Sequence, residues 1–514
     1  MNKPKKLLFF LIFLFIYQSL SPCLIYAENI GEGDIKYKNC LALFLGANKS
    51  FVGIESIVDI DANIKSISPF VKGGRTYIPL RFASERFGSE VIWNGDEQSI
   101  LINETENKIK MFVGKNIIIV NGNERNIDAA PEIFGGRTFI PIRIFAEAIG
   151  KNIFWDDRGL IIISEKDVTL NSEIDKNYIS DKINKFENMA IKVKGAYLSG
   201  GSVGYLGNIN KYVDLANTTE LNTYVLDIKD EEGYICYDSE VALAKEIKAC
   251  KNKYNAEEVV NNFHKNNIHL IGRIVCFQDS ILSKAKPEYA LKNKNGQVWV
   301  TAGNSWLDPS NHSSWSYLTD IAKEAVSKGF DEIQFDYVRF PNGNPIINVS
   351  KQNRAEEIES FLSYVKSAIP YIKVSVMVYG TVCYQTDDYY GMGQDYDSLI
   401  TKLDSLSPMV YPSFYSPNLS IDEKIYQKPD LEPYNVVYSI MSKAVDRKKN
   451  IPGKKATLRP YLQAFTATWL PKGSYQEYDT PEIRAQIKAL NDVGIQEWIL
   501  WTPTNDYKAE YFQN

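Results

Sequence analysis

The 514-residue chain reads as an α/β protein: a (β/α)8 TIM barrel forms its C-terminal domain, preceded by a small α+β domain made of two internal repeats. Three observations predict this. Two segments repeat one another, GGRTYIPLRFASERFGSEVIW at 73–93 and GGRTFIPIRIFAEAIGKNIFW at 135–155. Beyond residue 193, eight apolar strand-like runs alternate with helical stretches, the pattern of βα units around a parallel sheet. The length exceeds what one ordinary core organises, so more than one domain is expected.

The first 27 residues set the compartment. Lys3, Lys5 and Lys6 precede an apolar run from Leu7 to Tyr17, polar Gln18 and Ser19, and a cleavage position after Ala27. This is the layout of a secretory signal peptide, with an apolar centre short for a membrane span. Pro22 argues against lipidation of Cys23. The expected location is secreted or cell-surface associated, without tight membrane association after cleavage; an uncleaved anchor is the alternative. Five cysteines follow the signal, with no CxxC pair and no framework spacing. One bridge, Cys236 to Cys250, is conceivable, but a disulfide scaffold is not.

The repeat domain spans 36–165. Each copy reads as a strand entered through a Gly-Gly turn (Gly73-Gly74, Gly135-Gly136), then a short amphipathic helix ending at Gly88 or Gly150, where a left-handed cap favours glycine. Between the copies, MFVGKNIIIVNGNERNI predicts a hairpin turned at Asn121-Gly122. Trp93 and Trp155 stand at equivalent positions, 62 residues apart, and are expected in the core rather than as sugar platforms. Residues 166–192, rich in Asp, Lys, Asn and Ser, read as a linker with room for one short helix.

The barrel domain covers 193–514. Its strands are expected near 194–199, 223–229, 269–277, 331–340, 373–380, 406–412, 458–465 and 496–502. An open doubly wound sheet is the rival, but no glycine-rich phosphate loop follows the first strand. In the fourth run, DEIQFDYVRFP, residues Ile333, Phe335 and Tyr337 alternate with Gln334 and Asp336. One face therefore sends a carboxylate into the interior, which is costly unless the charge is paired or used.

In such barrels functional groups collect at the C-terminal strand ends and in the loops that follow. Those places hold Asp227, Lys229 and Asp230 after the second strand, Arg273 in the third, Trp306 and Asp308 in the next loop, and Asp336 and Arg339 in the fourth. Asp388, Gln394 and Asp395 follow the fifth strand, Tyr411 and Tyr415 the sixth, with Gln463 on the seventh and Glu497 and Trp501 on the eighth. Asp308, before Pro309, reads as a turn or cap residue; Glu497 suits a buried pair with Arg273 or Arg459. Several carboxylates, two arginines and a ring of aromatics equip a site for glycoside hydrolysis, which needs one proton-donating carboxylic acid and one carboxylate as nucleophile or base.

Other chemistries fit less well. Three scattered histidines, His264, His269 and His312, supply neither a serine triad nor an Asp/His metal cluster, so no metal and no other cofactor is expected. A net charge of −5, a pI near 5.6 and the absence of a basic face disfavour nucleic acid as a partner. The 32 tyrosines suit a carbohydrate reader.

Two resemblances refine this reading. The GGRTxIPxR…G…W repeat, over roughly 54–163, resembles the copper amine oxidase N-terminal-like domain. It implies a stalk or wall-binding module rather than an oxidase, because no histidine lies there to bind copper. From about 195 to 510, the segments LDIKDEEG, IGRIVCFQDSILSKAKPEYA, WLDPSN, GFDEIQFDYVRFP, MGQDYD, LSPMVYPSFY, LRPYLQAFTA and GIQEWILWTP resemble, in order, the "putative glycosyl hydrolase" barrel family of secreted bacterial proteins. By that resemblance Asp336 takes the place of a fourth-strand nucleophile and Asp388, after the fifth strand, that of the partner acid, with Asp230, Asp308 and Asp395 as competitors. Arg273 and Arg339 are expected to support Asp336 electrostatically. Asp227, Arg273, Trp306, Asp308, Arg339, Gln394, Tyr411, Tyr415, Gln463 and Trp501 are expected to bind substrate. The functional expectation is a secreted glycoside hydrolase with a polysaccharide substrate and a cell-wall contact through the N-terminal domain. A catalytically silent glycan-binding barrel is the alternative.

Overall fold

The structure is a computed structural model, described for residues 32–104, 107–343, 345–350, 353–385, 391–453 and 455–513. Residues 1–27, read above as a signal peptide, and Asp388, the expected partner acid, lie outside the described residues.

The two repeats meet across a four-stranded antiparallel sheet. Strand Arg75–Pro79 pairs with Arg137–Pro141 so that Ile78 faces Ile140 and each repeat's aromatic, Tyr77 or Phe139, faces the other's proline. Similar sequences placed 62 residues apart therefore bury equivalent isoleucines against each other, giving the domain a local twofold axis. Each strand feeds a short helix, Leu80–Arg86 or Ile142–Ala148, and the glycines after them adopt positive φ, +81° at Gly88 and +63° at Gly150, where a Cβ is disfavoured. The Asn121-Gly122 turn joins Ile117–Val120 to Asn123–Asn126, both turn residues having positive φ.

Three features, in the repeat domain, the linker and the barrel in turn, differ from the sequence reading. Trp93 and Trp155 are 38% and 44% exposed, not core. Their strands carry outward faces that nothing covers among the described residues. The linker contains a 17-residue helix, Glu173–Met189, whose Tyr178, Ile179, Ile183 and Phe186 pack with Tyr37 and Phe51. Ser172 caps its start by accepting from the Asp175 N–H, while Asp175 is tied to Lys36 and Tyr37. Cys236 and Cys250 are free thiols.

The C-terminal domain is a closed parallel barrel. Its strands are β1 Lys194–Leu198, β2 Thr223–Lys229, β3 His269–Val275, β4 Glu332–Asp336, β5 Lys373–Tyr379, β6 Ser405–Val410, β7 in two segments, Thr457–Leu458 and Tyr461–Gln463, and β8 Trp498–Trp501. Each pairs with its sequence neighbour, and β8 closes on β1 through Gly195 and Ile499. Outward residues of β4 pack on the surrounding helices: Phe335 meets Phe361 edge-on at 5.8 Å and both are fully buried.

Inward residues of β4 mark three polar layers. At the bottom Glu332 pairs with Arg459, which also holds Glu497. In the middle the Gln334 amide donates to Ser375 and Ser407 and accepts from the Tyr461 hydroxyl. At the top is Asp336. The repeat domain sits beneath the opposite rim: Tyr371, just before β5, lies against Phe70, Phe134 and Phe139 at centroid distances of 6.0–6.5 Å, and its carbonyl accepts from the Ser68 hydroxyl.

Candidate active site

Arg273 organises the top of the barrel. It projects upward from β3 and is 4% exposed. Its Nη1 donates to Asp227 Oδ1 at 2.6 Å, and its Nε and Nη2 donate to Asp336 Oδ2 at 3.1 and 2.7 Å. The same Nη2 donates to Glu231 Oε1 at 2.7 Å. One guanidinium thus gathers three carboxylates from β2, its following turn and β4, an arrangement suited to its planar fork of donors.

The three acids differ in access. Asp227 is 2% and Asp336 5% exposed, whereas the Glu231 side chain is 42% exposed. Asp227 also accepts from the Tyr197 hydroxyl at 2.7 Å. Burial pushes its pKa up to about 6 against the opposing pull of Arg273, with Glu231 adding to the rise. Arg273 holds Glu231 below the usual carboxylate range, outweighing burial. Neighbouring acids with environments that drive their proton affinities apart are a mark of functional sites.

Local sequence explains how Glu231 arrives there. In DEEGY, Asp230 Oδ1 accepts from the backbone N–H groups of Glu232, Gly233 and Tyr234, and its Oδ2 accepts from Lys253 at 2.8 Å. The turn closes on Gly233, with φ +106° and a position where a Cβ would lie 2.2 Å from Asp279 Oδ1. A register shift between Asp227 and Lys229 precedes it, a bulge of the kind that re-aims side chains beside sites. Lys229 forms a fully buried pair with Asp279 at 2.9 Å, and Asp279 caps the next helix through the Leu282 N–H.

The sequence-derived candidates divide on these contacts. Arg273, Asp227 and Asp336 come together. Asp230 is committed to its turn, and Glu231, absent from the sequence reading although it stands in LDIKDEEG, holds the rim. The pattern Asp-x-x-Gly after a strand was the signal that could have separated the two. Asp308 accepts from the Ser310 N–H and hydroxyl, a turn contact, and Asp395 caps a helix through Ser398. Gln394 donates to the Val338 and Met377 carbonyls and accepts from the Tyr379 N–H. Gln463 spends both amide hydrogens on Asp430 and the Phe465 carbonyl. Both glutamines brace loops instead of facing the mouth as sugar ligands.

Arg339 also differs from expectation. Its guanidinium is packed by Trp306, Tyr337 and Tyr379, 4.7, 5.2 and 5.0 Å from the ring centroids, while the charge on Asp336 is met by Arg273. Tyr337 is not a strand-face residue: the strand ends at Asp336, and Tyr337 turns with φ +53°, its N–H donating to Asp336 Oδ1 at 2.7 Å. Trp306 is 2% exposed and stands 5.7 Å from Tyr337. Across the mouth, Trp501 contacts Tyr197 and Tyr411 at 6.1 and 5.8 Å, and the Tyr415 hydroxyl lies over Gly380. Carboxylates and Arg273 thus line the β2–β4 side, and aromatics the β6–β1 side.

Among the described residues no group of three or more His, Cys, Asp and Glu is arranged to hold a metal ion. Each histidine faces a carboxylate: His264 and His269 meet Asp331, and His312 meets Glu357.

The profile of a family described as "Copper amine oxidase N-terminal domain" matches residues 59–164. That segment contains neither His nor Cys, so its donors do not fit copper. No curated protein matches the chain. Among solved structures, a hypothetical protein from Ruminiclostridium thermocellum ATCC 27405 is similar at 50% identity over 35% of this chain and 96% of its own, with a TM-score of 0.35. The glycoside hydrolase domain of PgaB (BpsB) from Bordetella bronchiseptica is similar at 11% identity over 63% of this chain and 99% of its own, TM-score 0.45. The spore cortex-lytic enzyme SleL of Bacillus cereus is similar at 12% identity over 68% and 86%, TM-score 0.38. Residues 195–507, more than half of the sequence, match the profile described as "Putative glycosyl hydrolase domain", and the chain belongs to that family.

Proposed function

We propose that the protein is a secreted glycoside hydrolase that cleaves a cell-surface or matrix polysaccharide, with Asp336 and Glu231 as its paired carboxylates. The observation that carries this reading is their common partner. Both accept from Arg273 Nη2 at 2.7 Å, so the two oxygens are at most about 5.4 Å apart, which leaves no room for the wider carboxyl separation of an inverting enzyme and favours a retaining double displacement.

Asp336 is fixed by Arg273 and the Tyr337 N–H and takes the nucleophile's role. Its oxygen attacks the anomeric carbon as the glycosidic C–O bond breaks. Glu231, the accessible acid, gives its proton to the departing oxygen, then removes one from the water that releases the glycosyl-enzyme. Since Arg273 favours ionised Glu231, substrate must first loosen that pair. A sugar hydroxyl that accepts from Nη2 and excludes water does so, and a desolvated carboxyl then holds its proton more tightly. Trp501 and Tyr415, both partly exposed, supply faces and edges for the sugar ring, and buried Tyr411 backs Trp501.

One observation favours a second reading, a silent glycan-binding barrel: Asp336 is only 5% exposed and closed on Arg273. Reducing-end release from a panel of surface polysaccharides separates the two. The hydrolase reading expects release by the wild-type chain and none by a folded Asp336→Asn variant. Binding without release by wild type favours the silent barrel.

A further inference from the structure

Beyond the mouth, two large aromatic side chains stand in solvent. Phe414 is 57% and Trp469 60% exposed, while their neighbour Phe465 is 7% exposed. Leaving such surface in water forgoes burial that would stabilise the fold, and contiguous exposed aromatics mark binding surfaces.

These rings continue the wall of the candidate site. Trp501 meets Phe465 at 5.3 Å, edge to face, and Phe465 stacks on Trp469 at 5.7 Å with an interplanar angle of 26°. Phe414 meets Trp469 at 6.2 Å and Tyr411 at 5.1 Å. In the other direction Trp501 meets Tyr197, whose hydroxyl binds Asp227 beside Arg273. An unbroken series of rings therefore leads from the carboxylates over β8 and β7 to the outer surface.

The shelf is also braced. The loop carrying Trp469 is pinned by buried Asp430, which accepts from the Gln476 N–H at Oδ2 and from the Gln476 amide and Tyr478 hydroxyl at its carbonyl. Lys428 donates to the Gly473 carbonyl at 2.7 Å. An exposed tryptophan on a loop tied at several points is presented in advance of binding, which reduces the ordering cost of stacking a ligand.

We propose that Phe414 and Trp469 form an outer subsite that stacks a sugar unit of a polysaccharide chain whose cleaved bond lies at Asp336, making the enzyme selective for long chains. The proposal rests on the glycoside hydrolase reading for the position of cleavage. A ligand reaching both places must be an extended chain with flat, apolar ring faces, which a polysaccharide provides. Contacts this far from the reacting bond contribute binding energy that only polymers can use.

The test separates the shelf from the chemistry. Asp336→Asn full-length protein is run in affinity electrophoresis through gels containing laminarin, chitosan or polygalacturonate, with and without Phe414→Ala/Trp469→Ala, and with Trp469→Tyr as the conservative variant. The expected result is retardation by at least one polymer, weakened roughly tenfold by the double alanine change and retained by Trp469→Tyr, with unchanged melting temperatures. Retardation indifferent to the double change, or no retardation by any of the three polymers, overturns the proposal. Polymer hydrolysis by wild type that is equally fast in Phe414→Ala/Trp469→Ala removes the shelf but leaves the hydrolase reading standing. Shelf-dependent retardation without hydrolysis does the reverse.

Discussion

Glu231 and Asp336 accept hydrogen bonds from the same nitrogen of Arg273, each at 2.7 Å, although 105 positions separate them in the chain. The pair joins a half-exposed acid to a buried one through a single guanidinium.

Removing Arg273 leaves Asp227 and Asp336 buried without their counter-charge. Arg273→Met should destabilise the barrel by about 3–5 kcal/mol and abolish hydrolysis. Arg459→Met, which strands Glu332 and Glu497 at the other end, should cost a comparable amount while the folded fraction still turns over. Urea unfolding paired with activity per folded molecule distinguishes the two ends of the barrel.

Asp227 gives a pH signature. Its folded pKa of about 6 lies above the unfolded value of about 3.9, so between these pH values the native state binds more protons. Stability from this group is complete below about pH 4 and is lost as pH rises through about 6. The stability of wild type relative to Asp227→Asn should therefore fall by roughly 2–3 kcal/mol from pH 4 to pH 7. Denaturant titrations across that range measure it; a flat or rising difference contradicts the burial of Asp227.

Gly233 positions Glu231. An alanine there must adopt φ +106° and place its Cβ 2.2 Å from Asp279 Oδ1. Gly233→Ala should cost about 1–3 kcal/mol and lower kcat, whereas Gly150→Ala, at a positive-φ glycine of the repeat domain with no atom near its Cβ position, should lose stability and leave kcat intact.

Tyr371 couples the domains. Cutting its ring away from Phe70, Phe134 and Phe139 should cost about 3–5 kcal/mol and leave turnover by the barrel unchanged. Calorimetry of Tyr371→Ala should show unfolding resolved into two transitions.

Much of this architecture was legible in the sequence, for physical reasons. Strands of a parallel barrel are buried on both sides and read as apolar runs, so all eight runs fell on observed strands, although the fourth was expected to reach 340 and ends at Asp336, and the seventh is broken in two. The repeat was visible because the same packing problem, Ile78 against Ile140, is solved twice by the same residues. Arg273 and Asp336 were recognisable as charges within apolar strands, and of the two partners expected for Glu497, Arg273 or Arg459, the structure shows Arg459.

What was not legible depended on contacts between distant segments. Asp230 and Glu231 are adjacent acids; only the closure of the turn on Gly233 decides which one holds the backbone and which reaches Arg273. The helix Glu173–Met189 hides its apolar stripe, Tyr178, Ile179, Ile183 and Phe186, among many charges. Arg339 looked like a partner for Asp336 by proximity in sequence, but the left-handed turn at Tyr337 carries it to a cage of aromatic rings. Trp93 and Trp155 show that equivalent positions in a repeat can share an exposed face as readily as a buried one.

The most direct measurement is reducing-end release from one cleavable polysaccharide by wild type, Glu231→Gln, Asp336→Asn and the double variant, each confirmed as folded. The paired-carboxylate account predicts that each single change lowers kcat at least about a thousandfold and that the double variant is scarcely worse than either, because the two groups act in one reaction sequence. Turnover near the wild-type rate in either single variant would contradict it.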